Sequence, residues 1–303
     1  MQIIAGTTDF KILQPTAVAI GKFDGFHRGH RELLKKILHM KSQGLLTTIF
    51  TFDPPPEVLF GKRQLKEITT KEEKRIIFEK MGVDILIEFP LNKENASILP
   101  EDFVKEILID RMKMSYLAAG YDLSFGHKGA GNAQLLEKLA PKYEFELHVI
   151  EKVCDNGREI SSTFIREELE KGAMNHVAEL LGEPYMIVGE VVHGAKLGRK
   201  IGMPTINLLP EKGKMLPPNG VYYSRTQIGE KEYKSITNIG KKPTVSNEEQ
   251  IGVETYLYEF DQDVYGKNAI VKLLEFKRPE RKFADVEELK TQMMRDVNEG
   301  REF

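Results

Sequence analysis

The 303-residue chain contains a single cysteine, Cys154, and no long apolar run. One thiol excludes an internal disulfide framework and a cysteine-rich zinc site, and it fits a reducing compartment. The first residues show neither the basic flank nor the apolar run of a secretory signal, and no later segment reaches membrane-spanning length. We therefore expect a cytoplasmic protein without a membrane partner.

A dominant charge of one sign is also missing. The formal net charge is −2, which gives the chain no overall attraction to nucleic acid or to anionic lipid. Any phosphate must then be bound by local groups. The composition favours small nucleotides as partners over nucleic acid polymers, and it does not indicate an oligomeric state.

The chain has no internal repeat and no low-complexity linker. Its length, with 41% hydrophobic residues, exceeds what one core usually organises and predicts two domains. The pattern of segments changes between Gly182 and Pro184. We expect one domain over residues 1–182 and a second over residues 183–303.

In the first half, strand and helix patterns alternate. This order is typical of an α/β doubly wound parallel sheet, in which ligands bind at the carboxyl ends of the strands. Thr70 and Glu73 form a capping box at one helix start. The predicted strands are 17–20, 45–52, 84–89, 115–121 and 144–150, and the predicted helices are 28–42, 70–81, 100–112 and 132–140.

In the second half, short β segments follow two short helices. We expect these β segments to close into a compact antiparallel β-barrel, because a barrel has no free sheet edges. A terminal helix begins at Asp285, with Glu288 three residues later. The predicted helices are 163–171 and 174–181, and the predicted strands are 185–193, 220–228, 231–239, 253–260 and 269–276.

The segment from Gly21 to His30 follows the first predicted strand and opens a helix. A strand that turns through Gly21 and Gly25 leaves backbone N–H groups and the positive end of a helix dipole free to meet phosphate. His27 and His30 share one face of the first turn, where two imidazoles would stabilise charge on a transferred phosphoryl group. The alternatives are that the two histidines coincide by chance on the surface or that they form half of a metal site. The absence of an H-E-x-x-H motif weakens the metal-site alternative.

A second phosphate-binding candidate lies near residue 161. Ser161 and Ser162 stand where a hairpin that turns at 155–157 meets the start of a helix, so hydroxyls and N–H groups cluster there. Arg166 projects from the first turns of that helix. Its fork of donors suits the β and γ phosphates that leave as pyrophosphate. The alternative is an ordinary helix cap beside a solvated arginine.

A loop rich in glycine and basic residues lies in the second half, at 194–202. Gly194 and Gly202 allow the backbone to approach phosphate, and Lys200 supplies positive charge. Taken alone, such a loop is more often a solvated flap or an RNA contact than a kinase site.

An extended segment follows this loop. Thr205 and Asn207, after Pro204, are two residues apart, so their side chains point the same way and can hold Mg²⁺ and nucleotide phosphate oxygens. Further along, Glu254 and Tyr256 share one strand face, and Thr255 lies on the opposite one. As an isolated residue, Glu254 would be an exposed strand charge.

These segments together resemble a known family. The run Gly21-x-Phe23-Asp24-Gly25-x-His27-x-Gly29-His30 is similar to the nucleotidyltransferase signature of the prokaryotic bifunctional riboflavin kinase/FMN adenylyltransferases, also called FAD synthetases. Residues 52–57, 120–126 and 160–166 follow in the order of that family. The run from Gly194 through Asn207 resembles its riboflavin kinase signature, and residues 220–222, 238–244 and 253–255 follow as they do in that kinase.

The resemblance implies a Rossmann-like nucleotidyltransferase domain and a riboflavin kinase domain. It implies Mg²⁺ as cofactor and ATP, riboflavin and FMN as small-molecule substrates. Glu254 would be the general base of the kinase, as a carboxylate that accepts the proton of the ribityl hydroxyl. The remaining residues that the resemblance assigns are Phe23, Asp24, Gly29 and Thr163 for nucleotide and Asp122, Phe125 and Asn238 for flavin.

Two alternatives stay open beside this reading. Leu123 and the loop at 127–132 depart from the pattern of the family, so a relative with an impaired adenylyltransferase site is one alternative. The other is a flavin- or RNA-binding regulator on the same scaffold, which would require that catalytic residues had been lost.

Overall fold

The first half of the chain builds an open parallel sheet, and the second half builds a closed barrel. The structure is a computed structural model that describes residues 1–61, 66–194, 198, 202–242 and 250–303. The chain divides into two compact units, Met1–Ser161 and Ser162–Phe303.

The sheet of the first unit has six parallel strands in the order β1-β4-β3-β2-β5-β6. The predicted doubly wound α/β architecture is confirmed. The strands are β1 Gln2–Ala5, β2 Thr16–Ile20, β3 Leu46–Asp53, β4 Ile85–Pro90, β5 Met114–Gly120 and β6 Glu146–Ile150, and a separate hairpin pairs β7 Cys154–Asp155 with β8 Arg158–Glu159. The helices are α1 Arg28–His39, α2 Pro56–Leu59, α3 Lys71–Lys80, α4 Pro100–Asp102 and α5 Ala133–Tyr143, with 3₁₀ turns at Met40–Gln43, Asn95–Ser97 and His127–Gly129.

Strand β2 shows why these residues form this sheet. All of its residues are buried, and a short run buried on both faces is typical of a parallel sheet that helices cover. Helix α1 buries Leu33, Leu34 and Ile37, which recur at helical spacing and give it one apolar face. The turn between β2 and α1 therefore lies at the carboxyl end of a central strand.

One helix differs from the sequence expectation. The sequence predicts a regular amphipathic helix over 100–112, whereas Phe103–Arg111 continues α4 as a π-helix. The N–H of Met112 donates to the carbonyl of Ile107, five residues earlier, at 3.1 Å. The wider turn changes the period at which side chains meet the core, so a pattern search at 3.6 residues per turn does not detect it.

In the second unit, six antiparallel strands close into a barrel in the order β10-β13-β12-β11-β14-β9. The predicted barrel with a terminal helix is confirmed, although β10 is not among the predicted strands. The unit begins with α6 Ser162–Lys171 and α7 Met174–Leu181 and ends with the C-terminal helix Val286–Glu302. The strands are β9 Tyr185–Val192, β10 Thr205–Pro210, β11 Gly220–Ile228, β12 Lys231–Lys242, β13 Gln250–Leu257 and β14 Asn268–Pro279.

Hydroxyl groups line part of the barrel interior. The Oγ of Ser224 lies 2.8 Å from Oγ of Ser235 and 2.8 Å from Oγ1 of Thr237, and Thr237 in turn lies 2.9 Å from Oγ1 of Thr255. These side chains are buried. Because side chains alternate along a strand, Glu254 points away from this interior, and it is partly exposed.

The C-terminal helix is tied to the barrel by polar contacts. Its predicted cap is confirmed, because Asp285 accepts a hydrogen bond from the N–H of Glu288 at 2.8 Å. Arg278 on β14 donates to the buried carboxylate of Asp296, with the closest contact 2.6 Å. Among the helices in the described part of the chain, none has both the length and the apolar character needed to cross a membrane.

Candidate active sites

A strained turn connects β2 to α1. The N–H of Gly21 donates to the carbonyl of Phe50 at 3.1 Å, so the turn starts where the sheet ends. Gly25 has a φ of 63° and Phe23 a φ of 52°, a left-handed conformation that a bulky residue rarely adopts. The ring of Phe23 is fully buried, and a Cβ on Gly21 would lie 3.0 Å from it. Phe23 thus anchors the turn in the core.

Some of the backbone donors in this turn are already used. The sequence expects its N–H groups to be free for phosphate, but those of Gly25 and Phe26 donate to Oγ1 of Thr69 at 3.1 and 3.4 Å. In return, Oδ1 of Asp24 accepts from the N–H groups of Ile68 and Thr69 at 2.8 and 3.1 Å. The expectation was wrong for Gly25 and Phe26, and also for Gly21, whose N–H donates to Phe50.

The two histidines form a stacked pair at that helix start. The ring centroids of His27 and His30 are 3.8 Å apart, with an angle of 24° between the planes. The Nδ1 atoms of both rings are buried and have no hydrogen-bond partner among the described residues. A Cβ on Gly29 would lie 3.1 Å from the His27 ring. Since buried polar atoms are seldom left unpaired, this pair is poised for a ligand.

Both imidazoles are neutral at pH 7. Burial, opposed by the nearby charges of Glu159 and Asp24, lowers the pKa of His27 from 6.5 to about 4. Burial holds the pKa of His30 well below 6.5. The charge of Lys74, and that of His27 when it is protonated, lowers this pKa further, while a hydrogen bond to the backbone of Gly25 opposes the shift. A neutral imidazole donates through one ring nitrogen and accepts through the other. At pH 7 the pair can therefore offer hydrogen bonds to a ligand but no fixed double charge.

The residues assigned to flavin in the first unit have different surroundings. Asp122 is exposed, while Phe125 is 3% exposed and belongs to the core. The ring of Phe125 lies 5.7 Å from that of Phe103, and a Cβ on Gly131 would lie 2.6 Å from it. Phe125 thus holds its loop by packing, and the flavin role of both residues stays a prediction.

The hairpin and helix predicted around residue 161 are present. Ser161 follows the β7–β8 hairpin, Ser162 is the first residue of α6, and Thr163 and Arg166 lie on that helix. Since α6 belongs to the second unit, the location of Arg166 beside the histidines stays a prediction.

Three neighbouring barrel strands bring polar side chains to one face. Asn207 on β10 pairs with Glu254 on β13, which pairs in turn with Asn238 on β12. Residues directly opposite each other in antiparallel strands share a face. Oγ1 of Thr205 donates to Oε1 of Glu254 at 2.5 Å, and Nδ2 of Asn238 donates to Oε1 of Glu280 at 3.2 Å. The structure therefore brings Thr205, Asn207, Asn238 and Glu254 to one face, and their roles stay predictions.

The start of the basic loop, at Gly194, packs against this face. A Cβ on Gly194 would lie 2.3 Å from Nδ2 of Asn207, so the bare backbone of Gly194 packs against that amide. Gly202 has a φ of 78°, and Pro204 is exposed. Lys200 lies outside the described residues.

Hard oxygen donors converge at this face. The hydroxyl of Thr205, the amide of Asn207 and the carboxylate of Glu254 offer the oxygen ligands that Mg²⁺ prefers, and Mg²⁺ takes its other ligands from substrate phosphates and water. Among the described residues, no three or more His, Cys, Asp and Glu side chains are grouped to hold a metal. The donors therefore fit a Mg²⁺ that arrives with a nucleotide.

Two family models match the two halves of the chain. One described as FAD synthetase matches residues 9–164, and one described as riboflavin kinase matches residues 181–303. The bifunctional riboflavin kinase/FMN adenylyltransferase of Listeria monocytogenes is 34% identical over 289 residues, which are 94% of this chain and 91% of that protein. The chain belongs to the bifunctional riboflavin kinase/FMN adenylyltransferase family.

Other relatives agree with this assignment. The bifunctional riboflavin kinase/FMN adenylyltransferase of Escherichia coli K12 is 35% identical over 289 residues and covers 94% of this chain, and the match covers 92% of the relative. The crystal structure of a protein described as a macrolide-efflux protein from Streptococcus pneumoniae has a TM-score of 0.85 at 29% identity, over 99% of this chain and 98% of that one. The efflux description belongs to the pneumococcal protein, and its likeness supports the fold.

Two features of these sites are not predicted from the sequence, the contact of Thr69 with the turn and the strand β10. Thr69 and the strand β10 both lie inside matched ranges, yet neither carries a local signal for its role. Thr69 precedes the predicted cap Thr70, and its partner Gly25 is 44 residues earlier. The matches end at 164 and begin at 181, so a functional boundary at 182 and 183 stays a prediction.

Proposed function

We propose that this family member makes FAD from riboflavin in two ATP-dependent steps. Residues 183–303 phosphorylate riboflavin to FMN, and residues 1–182 transfer AMP from a second ATP to FMN. The observation that supports this most strongly is that each family match contains its own assembled polar site, the histidine pair in one and the Thr205–Glu254 group in the other. A monofunctional enzyme would not need both.

In the adenylyl transfer, a phosphate oxygen of FMN attacks the α-phosphorus of ATP. The bond to the bridging oxygen breaks, and pyrophosphate leaves with the electron pair. The neutral rings of His27 and His30 donate hydrogen bonds to oxygens that gain charge at the α-phosphorus. Arg166, with the hydroxyls of Ser161 and Ser162, neutralises the leaving pyrophosphate.

In the phosphoryl transfer, the ribityl 5′-hydroxyl of riboflavin attacks the γ-phosphorus of ATP, and ADP leaves. The hydroxyl of Thr205 fixes Glu254 through Oε1, so Oε2 is the oxygen that accepts the proton. Thr205 and Asn207 would hold Mg²⁺, which would neutralise charge on the phosphates. Asn238, one strand further, orients the flavin.

The cellular setting follows from the substrates. We infer a cytoplasmic enzyme whose partners are small molecules, because both steps consume ATP and the single Cys154 fits a reducing compartment. Because the net charge of −2 gives no overall attraction to phosphate, the nucleotides must be held by local hydrogen-bond donors and by the metal.

Reciprocal variants test the assignment of each step to its site. His30→Ala should abolish most FAD formation from FMN and leave riboflavin phosphorylation intact, with a loss on the order of 10²–10³-fold for one preorganised donor. Glu254→Gln should lower riboflavin phosphorylation by roughly two to four orders of magnitude and leave FMN adenylylation intact.

Chromatographic separation of riboflavin, FMN and FAD reads both steps in one sample, and each variant is the control for the other. Loss of both activities in either variant would contradict separate sites. Wild-type protein that makes FMN alone would favour the relative with an impaired adenylyltransferase site, and no product would favour the binding regulator.

A further inference from the structure

Helix α3 packs against the turn that precedes His27 and His30. The ring of Phe78 on α3 lies 5.4 Å from that of Phe23 and 5.4 Å from that of Phe26, edge to face in both cases. Phe23 and Phe26 in turn lie 5.2 and 6.1 Å from the ring of His30. The position of the catalytic histidine pair therefore depends, through these packed rings, on the position of α3.

The start of α3 is itself rigid. Thr70 accepts a hydrogen bond from the N–H of Glu73, and the carboxylate of Glu73 accepts from the N–H of Thr70 at 2.9 Å. Thr69, Thr70 and Glu73 are all buried. This reciprocal cap leaves the preceding residue, Thr69, in one fixed position.

Thr69 faces the turn and not its own helix. Its Oγ1 accepts from the consecutive N–H groups of Gly25 and Phe26, which stand directly before His27. Asp24 binds the backbone of Ile68 and Thr69 in the opposite direction. Four hydrogen bonds therefore join the two segments. Three of them involve Thr69, two through its Oγ1 and one through its backbone N–H.

We propose that Thr69 is a positioning residue for adenylyl transfer, and this rests on the proposed function of the first unit. The turn needs such a clamp because Phe23 adopts a left-handed φ of 52°, which only surrounding contacts can maintain. Without the Oγ1 acceptor, two buried N–H groups lose their partner. The turn then relaxes and carries His27 and His30 away from the α-phosphorus.

Two variants that differ in one atom test this. Thr69→Ser and Thr69→Cys both lose the methyl group, but serine keeps an oxygen acceptor and sulfur is a weak one. The serine variant should retain FMN adenylylation to within about 3-fold. The cysteine variant should lose about 10- to 100-fold in kcat with little change in KM for ATP, since a displacement of about 1 Å costs on the order of 100-fold. Thr69→Val should lose at least as much.

A matched control separates positioning from stability. Thr47 is buried on β3 at the amino end of the sheet, where Oγ1 donates to Oδ2 of Asp84 at 2.7 Å and accepts from the N–H of Asp84 at 3.1 Å. Thr47→Val also removes two hydrogen bonds of a threonine in the same unit. It should lower the melting temperature but leave the kcat of adenylylation within about 3-fold.

Adenylylation, riboflavin phosphorylation and thermal unfolding are measured on full-length protein. A serine variant near wild type beside an impaired cysteine variant, with the Thr47→Val control active, supports the proposal. Equal activity of the serine and cysteine variants would overturn it, as would an equal loss of kcat in Thr47→Val. Wild-type protein that forms no FAD would instead refute the proposed function, so the two failures are distinguishable.

Discussion

At Gly194, in the kinase site, a side chain would collide with Asn207. A Cβ there would lie 2.3 Å from Nδ2 and 2.6 Å from Cγ of Asn207. The nearest atoms belong to a side chain, so Gly194→Ala should fold and push the amide aside. An ordinary contact begins near 3.4 Å, so the amide must move by about 1 Å. A displacement of that size at a positioning group costs on the order of 100-fold in rate.

The expected result is a riboflavin kinase about 100-fold slower that also needs more Mg²⁺ to reach half-maximal rate. Asn207 is 5% exposed and has little room to retreat. The assay is initial-rate FMN formation from riboflavin over a range of Mg²⁺ concentrations at saturating ATP. FAD formation from supplied FMN should be unchanged, which serves as an internal control.

Gly229→Ala is the matched control in the same barrel. Gly229 has a φ of 59°, and a Cβ there would meet nothing within 4 Å, so alanine adds backbone strain of about 1 kcal/mol but no contact. Normal riboflavin phosphorylation by a folded Gly194→Ala variant would refute the role of Asn207 and the reasoning from its packing. An equal loss in Gly229→Ala would show that barrel stability, and not the amide, sets the rate.

Two further predictions concern stability and charge. Asp296→Asn should lower the free energy of unfolding of the second unit by about 3 kcal/mol, because it leaves the charge of Arg278 without its buried partner. Arg225→Gln breaks an exposed pair with Glu232. This variant should change the free energy of unfolding by under about 1 kcal/mol. Urea denaturation checks both, and equal effects would contradict the difference in burial. The ring of His27 should titrate by NMR near pH 4. Because burial lowers this pKa below 6.5, its stabilising contribution is complete above about pH 6.5 and is lost as the pH falls towards 4; a midpoint at 6.5 would show that the ring is solvated.

Much of the fold could be predicted because its signals are local. The buried run of β2 and the capping box at Thr70 each lie within a few residues. The hairpin that turns before Arg158 and the cap at Asp285 do as well. Such features can therefore be predicted from a short stretch of sequence.

The parts that were not predicted depend on distant partners. Strand β1 has four mostly exposed residues and is a strand only because it pairs with β4, as Gln2 does with Ile85. The sequence predicts only an extended segment at β10, and pairing with β9 and β13 makes it part of the barrel. No periodicity within such short segments carries this information.

The residues of the two sites also divide into those with a local sequence signal and those that depend on distant contacts. The histidines, Thr205, Asn207 and Glu254 could be proposed from motifs, since a motif marks the groups that meet the substrate. The sequence predicts Gly194 as a nucleotide-binding glycine but not its packing against Asn207. The hydrogen bond between Gly25 and Thr69 joins residues 44 positions apart. Neither contact can be predicted from a single sequence, because each depends on distances across the fold.

The central claim is that one chain carries out both steps in order. Purified protein is incubated with riboflavin, ATP and Mg²⁺, and riboflavin, FMN, FAD and pyrophosphate are followed over time. The account predicts that FMN appears first and then falls as FAD rises, with one pyrophosphate released for each FAD formed. FMN that accumulates without FAD, or the absence of any product, would contradict it.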